Sequence, residues 1–202
     1  MILDIFENLD SYSRAFMDPV LWDPFLRLIC DKHHFSPVEV IRPGLAGTYP
    51  TFIVDESRVI KLFGRLFNGA ESWAVERLCA ELVQAAQHFP SARLLGWGAL
   101  FAGENWNWPY LIFEYIPGIS LGEAAQNISY TERERLASWL GESVRTLHDI
   151  PLNNKALRIL PRQKNILGNT RMNPSQRHQS WKKLPANWLD QIEDYLTSTD
   201  YL

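Results

Sequence analysis

Lys61 stands inside the apolar run Val59-Ile60-Lys61-Leu62-Phe63. An ammonium there is costly to desolvate unless an anion meets it. The amphipathic stretch that follows, residues 71–87, supplies three carboxylates: Glu71, Glu76 and Glu81. At about 100° per residue, its apolar face centres between Leu78 and Leu82. Glu71 falls on that face, Glu81 lies off one flank, and Glu76 sits at the other flank, where a side chain can face a cleft beside the core. Glu76 is therefore the expected partner of Lys61, with Glu71 as the second choice. A lone strand lysine more often snorkels to solvent. Order and spacing relative to the next elements favour the paired reading.

The next chemical feature is the run Tyr110-Leu111-Ile112-Phe113-Glu114-Tyr115-Ile116, closed by Pro117-Gly118. A flat base such as adenine needs an apolar slot with one backbone acceptor and one donor. A strand leaving its sheet at a hinge supplies both, because its outer backbone groups lack ladder partners. The Glu114 carbonyl and the Ile116 amide are the natural pair. Taken alone, the run reads as a buried strand ending in a turn.

These residues require a sheet and a helix to hold them. Residues 38–42 and 51–54 read as strands joined by the turn-rich segment from Pro43 to Pro50, and 51–63 reads as a hairpin about Asp55-Glu56-Ser57. Helix 71–87 follows, carrying Ala74, Val75, Leu78, Cys79, Leu82 and Ala86 at helical steps. Strands are expected at 92–99 and 109–116, turning at 103–105. Before the sheet, residues 19–34 read as a helix with Pro19 in its first turn and a stripe of Val20, Phe25, Leu28 and Ile29. After it, Thr131 with Glu134 forms a capping-box pattern that opens a helix through Leu136, Leu140, Val144 and Leu147. A short helix is expected at 186–196.

Quoted in order, Gly44-Leu45-Ala46-Gly47-Thr48, the Lys61 strand, Glu76-Arg77-Leu78, Leu94-Leu95-Gly96-Trp97-Gly98, Glu114-Tyr115-Ile116-Pro117-Gly118-Ile119-Ser120-Leu121, and Leu140-Gly141 through Leu147-His148 resemble the aminoglycoside phosphotransferase and choline kinase-like family, relatives of protein kinases. The resemblance covers roughly residues 38–150. It implies an α+β fold: a protein kinase-like N-terminal lobe of antiparallel sheet plus one long helix, followed by the start of a helical lobe that is C-terminally incomplete. The implied domains are an N-terminal helical segment (1–37), a nucleotide-binding lobe (38–117) and a partial helical lobe (118–202). It also implies that Lys61 binds the phosphates of ATP, that Glu76 positions it, and that the loop of Gly44, Gly47 and Thr48 covers the phosphates with backbone amides. Pro50 removes one amide donor from that loop.

The family's His-Gly-Asp-Leu-x-x-x-x-Asn catalytic loop has no counterpart in the 202 residues, nor has its later metal-binding Asp. His148-Asp149 closes a helix and is followed by Ile150-Pro151, so it is not that loop. Trp188 to Leu202 looks like the lead-in to it. No catalytic and no metal-binding residue is assigned. The expectation is a truncated small-molecule kinase, inactive alone, with weak ATP binding, and with Mg²⁺ held only if the missing lobe is supplied. The acceptor is an unidentified small-molecule hydroxyl. A protein partner covering the exposed lobe face, or a non-catalytic regulatory module, is the alternative.

A composition 46% apolar and 21% charged is that of a folded domain. A net charge of −3 gives no pull toward nucleic acid or anionic membranes. The absence of a long apolar run or basic leader predicts a cytoplasmic protein. Cys30 and Cys79 are expected as reduced core thiols. Residues 151–186 hold eight Lys or Arg and no acid, which reads as a solvated linker or, if it lines a pocket, argues against a polycationic acceptor. Trp106 and Trp108 read as turn aromatics before a stacking platform, His33-His34 as a helix-end surface pair before a metal site, and Asn127-Ile128-Ser129 as a glycosylation pattern without a secretory signal.

Overall fold

Alternating apolar residues build an antiparallel sheet whose two faces bury different sets of side chains. The computed structural model describes residues 9–35, 37–45, 47–86, 89–101 and 107–151. The chain divides into two compact units, Met1–Leu152 and Asn153–Leu202, and the described residues belong to the first. The expected helix at 186–196, the basic stretch beyond Pro151, the lead-in at 188–202, the turn at 103–105 and Trp106 lie outside the described residues.

The elements are α1 (Leu9–Ala15), α2 (Pro19–Lys32), β1 (Ile41–Pro43), β2 (Thr51–Val54), β3 (Arg58–Leu62), α3 (Gly69–Ala85), β4 (Leu94–Ala99), β5 (Pro109–Glu114), α4 (Leu121–Ala124) and α5 (Tyr130–His148). The sheet order is β1-β2-β3-β5-β4, with every pairing antiparallel. This is the arrangement of an antiparallel sheet with one long helix, α3, that the sequence leads one to expect.

One face of the sheet presents Phe52, Val54, Ile60, Leu62, Tyr110 and Ile112 to Tyr12, Trp22, Leu26, Ile29 and Trp108. The other presents Phe63, Leu94 and Leu111, with Tyr49, to Trp73 and Ala80 of α3. Because side chains alternate along a strand, Ile60 and Leu62 enter the first core while Lys61 emerges on the α3 side.

Local chemistry sets the boundaries. Asp18 caps α2, accepting from the Val20 and Leu21 amides, with Pro19 in the first turn. The buried stripe of α2 is Trp22, Leu26, Ile29 and Cys30; of the stripe expected from sequence, Ile29 is buried and Phe25 packs against the core, whereas Val20 and Leu28 are exposed. The large Trp22 side chain fixes the phase, because its burial outweighs that of a valine. β1 is shorter than expected. The Asp55 carboxylate accepts from the amides of Glu39 and Val40 (2.9 and 2.8 Å), replacing ladder bonds there. The capping box of α5 lies two residues earlier than Thr131–Glu134: Ser129 and Glu132 make it. Cys30 is buried as expected, but Cys79 is exposed, on the outward side of α3. Among the described residues no helix is long and apolar enough to cross a membrane.

Candidate functional site

Lys61 lies mid-strand in β3, opposite Thr51 of β2 and Leu111 of β5. Its Nζ donates to Glu76 Oε2 at 2.5 Å and stands 5.3 Å from the Phe63 ring centroid and 5.8 Å from that of Tyr49. The two side chains keep 27% and 35% of their exposure. An ion pair so open to water contributes only ~0.2–1 kcal/mol to stability. Stability alone therefore gives weak reason for a charge in an otherwise apolar strand. The competing acids are engaged elsewhere: Glu71 accepts from Asn68 Nδ2 at the start of α3, and Glu81 pairs with Arg77 at 2.9 Å.

The rotation of α3 that aims Glu76 at Lys61 is set on both sides. Trp73 Nε1 donates to the Tyr110 carbonyl (3.1 Å). The Arg77 guanidinium lies against two rings, 5.1 Å from Trp73 and 4.7 Å from Trp97 of β4. This bracing was not foreseen in the sequence. Two tryptophans four and 20 residues from an arginine carry no signal until the sheet order places β4 beside the helix.

Gly44 and Gly47 occupy the β1–β2 connection. The Gly44 amide donates to the Thr51 carbonyl (2.8 Å), and a Cβ at Gly44 would stand 3.1 Å from that same oxygen. Gly47 faces open space and Thr48 is exposed. The Thr48 carbonyl accepts from the Tyr12 hydroxyl at 2.6 Å. Pro50 is fully buried, and its carbonyl accepts from the Leu62 amide at 2.9 Å, so the residue that lacks a donor serves as an acceptor for β3.

At the far end of β5 the Glu114 amide donates to the Arg93 carbonyl (2.9 Å) and the Tyr115 amide to the Ser57 carbonyl (3.0 Å). Successive residues of a strand point their backbone groups to opposite sides. The Glu114 carbonyl and the Ile116 amide thus share the β4 side, just past the point where β4 begins, and no hydrogen bond to either is present among the described residues. The Glu114 side chain faces solvent and pairs with Arg93 at 2.9 Å; that hydrogen bond holds its carboxyl below the usual range.

The described structure thus brings Lys61 and Glu76 into contact, places the glycine loop on the connection into β2, and leaves the Glu114 and Ile116 backbone groups open. Trp108 is no stacking platform: it is 2% exposed and packs edge-on against Trp22, centroids 5.0 Å apart. His33 bonds the Tyr110 hydroxyl at 3.0 Å, and Ser129 is spent on the α5 cap. Among the described residues no group of three or more His, Cys, Asp or Glu is placed to hold a metal ion.

The chain matches the family model described as "Phosphotransferase enzyme family" over residues 41–200. Solved structures of similar fold include the GDP complex of wild-type aminoglycoside 2'-phosphotransferase-IIIa and the GDP and kanamycin complex of APH(2")-IIia. Each is 18% identical with a TM-score of 0.58, over 86% of this chain and 56% of that one. The chain therefore spans little more than half the length of these structural neighbours.

Proposed function

This chain belongs to the phosphotransferase enzyme family, and from that premise we propose that its residues 38–117 form a nucleotide-binding lobe, flanked by a helical segment (1–37) and part of a helical lobe (118–202). Lys61, braced by Glu76, contacts the α- and β-phosphates of ATP. Amides of the loop carrying Gly44, Gly47 and Thr48 lie over the phosphates, and the Glu114 carbonyl and Ile116 amide hold the adenine edge. The observation that carries this reading is the 2.5 Å Lys61–Glu76 contact in a half-open setting, where its worth to folding is small. In the active form the γ-phosphoryl passes to a hydroxyl of a small molecule, in the cytoplasm.

Phosphoryl transfer needs a residue to orient the attacking hydroxyl and ligands for Mg²⁺. Bound Mg²⁺ would neutralise charge on the β- and γ-phosphates. The sequence contains no His-Gly-Asp-Leu-x-x-x-x-Asn loop, so these 202 residues alone bind nucleotide weakly and do not turn it over; Mg²⁺ is held only where the missing residues are supplied. The structural neighbours are GDP complexes, which makes GTP the other nucleotide to test.

The test is calorimetric titration of the chain and its Lys61→Ala variant with ATP and GTP. Losing a charge-assisted contact lowers affinity about tenfold or more, while the unfolding midpoint moves little, since the ion pair is worth ~1 kcal/mol at most. Equal affinity in both chains, or magnesium-dependent turnover that survives the substitution, overturns the assignment. The second reading is a non-catalytic module that engages a protein partner. It is favoured by the exposure of Ile119, Leu121, Trp139 and Leu140, and strong partner binding unaffected by Lys61→Ala supports it.

A further inference from the structure

Four hydrogen bonds fix the segment of Thr48 and Tyr49. On one side the Thr48 carbonyl accepts from the hydroxyl of Tyr12 at 2.6 Å. Tyr12 is itself fixed: it is 4% exposed, stacks on Phe16 with centroids 5.2 Å apart, and meets the edge of Phe67. On the other side the Tyr49 hydroxyl donates to the Phe67 carbonyl (2.6 Å) and shares a hydrogen bond with Ser72 Oγ of α3 (2.8 Å). The Tyr49 carbonyl accepts from Thr51 Oγ1 at 3.0 Å, and Pro50 restricts the next φ.

Among the described residues there is no cis peptide. In a trans peptide the carbonyl and the following N–H point in opposite directions. Drawing the Thr48 oxygen toward Tyr12 therefore turns the Tyr49 N–H away from α1. That amide finds no acceptor among the described residues. It is also the last donor before Pro50, which has none. A donor aimed and left open is costly to maintain unless water or a ligand meets it.

We propose that Tyr12 is a positioning residue that aims the Tyr49 backbone N–H, in the β1–β2 connection, at a phosphate oxygen of the bound nucleotide. The inference rests on the nucleotide-binding reading above. It adds a residue from the N-terminal helical segment, outside the stretch matched by the family, and one specific amide donor.

The experiment compares the full chain with Tyr12→Phe, which keeps the ring and removes only the hydroxyl. Each is titrated with ATP and with adenosine. The expected result is a loss of about 3- to 10-fold in ATP affinity, the size of one neutral hydrogen bond, with adenosine affinity unchanged. An unchanged ATP affinity, or an equal loss for both ligands, overturns the proposal. Amide NMR of the unaltered chain decides the matter even if the variant folds poorly. The Tyr49 resonance is expected to shift with ATP and not with adenosine; no shift with ATP overturns it. If the unaltered chain binds neither ligand, the nucleotide reading itself falls and carries this inference with it. Binding in the unaltered chain with no effect of Tyr12→Phe refutes this inference alone.

Discussion

The Lys61–Glu76 pair was legible because two periodicities intersect there. The strand's alternation puts Lys61 on the helix side, and the helix's angular spacing puts Glu76 at the edge of its buried face. His33 was not legible in the same way. It looked like half of a surface pair, yet it reaches Tyr110 across 77 positions of sequence, a contact no local pattern announces. Its consequence is a pH dependence. Burial lowers the pKa of His33, aided by the nearby charges of Lys32 and His34. The unfolded chain takes up a proton near pH 6.5, before the folded chain does. Below that pH the unfolded state binds more protons, so stability falls as the pH falls. Urea midpoints measured between pH 7 and 5 are expected to drop more in the natural chain than in His33→Gln, whose side chain can still bond Tyr110. Parallel slopes would assign the pH dependence to other groups.

At the scale of elements, α3 is fixed at its start as tightly as along its length. Gly69 opens the helix so close to the preceding loop that a Cβ would stand 1.9 Å from the Gly64 carbonyl oxygen. Residues Phe67 and Asn68 reach this junction with φ of 62° and 61°, a conformation unfavourable for a bulky side chain. Gly69→Ala is expected to destabilise the fold by about 1–3 kcal/mol, the usual cost of overpacking. It should also weaken nucleotide binding, because a shift of the helix start moves Glu76. Gly47→Ala, which meets nothing within 4 Å, is the control expected to leave the thermal midpoint unchanged. A similar midpoint for both variants would refute the packing argument. The strands and α3 were readable from hydrophobic periodicity. The phase of α2 was readable only in part: Phe25 and Ile29 face the core, but counting apolar residues weighs Val20 with Trp22, whereas burial weighs them by area. The start of α5 was not readable, since two capping boxes overlap in sequence and only Ser129–Glu132 forms.

For the molecule as a whole, family and fold class followed from the sequence of motifs, since each motif matched one element of a known succession; the sheet order β1-β2-β3-β5-β4 came from the structure. Activity did not follow, because no His-Gly-Asp-Leu-x-x-x-x-Asn run can be read in the sequence. The described unit leaves Leu136, Trp139, Leu140, Val144 and Leu147 of α5 between 39% and 56% exposed. Contiguous apolar surface of this kind favours association. Light scattering is expected to show concentration-dependent self-association, and a dye that brightens on apolar surface is expected to bind; Trp139→Glu with Leu140→Glu should reduce both. A monodisperse natural chain with low dye binding would show that this surface is covered.

The hairpin of β2 and β3 gives the site an unusual vulnerability to copying errors in length. Its register pairs Thr51 with Lys61 and Phe52 with Ile60, and the Asp55–Glu56 turn, with both residues at positive φ, counts out that pairing. A slip of a single position exchanges the faces of every residue in β3. Lys61 would then enter the core beside Trp22 and Phe52, while Ile60 and Leu62 would face the charge meant for Glu76. A conservative substitution in the turn changes a shape, but a one-residue insertion there inverts an address, sending the cation to the wrong side of the sheet.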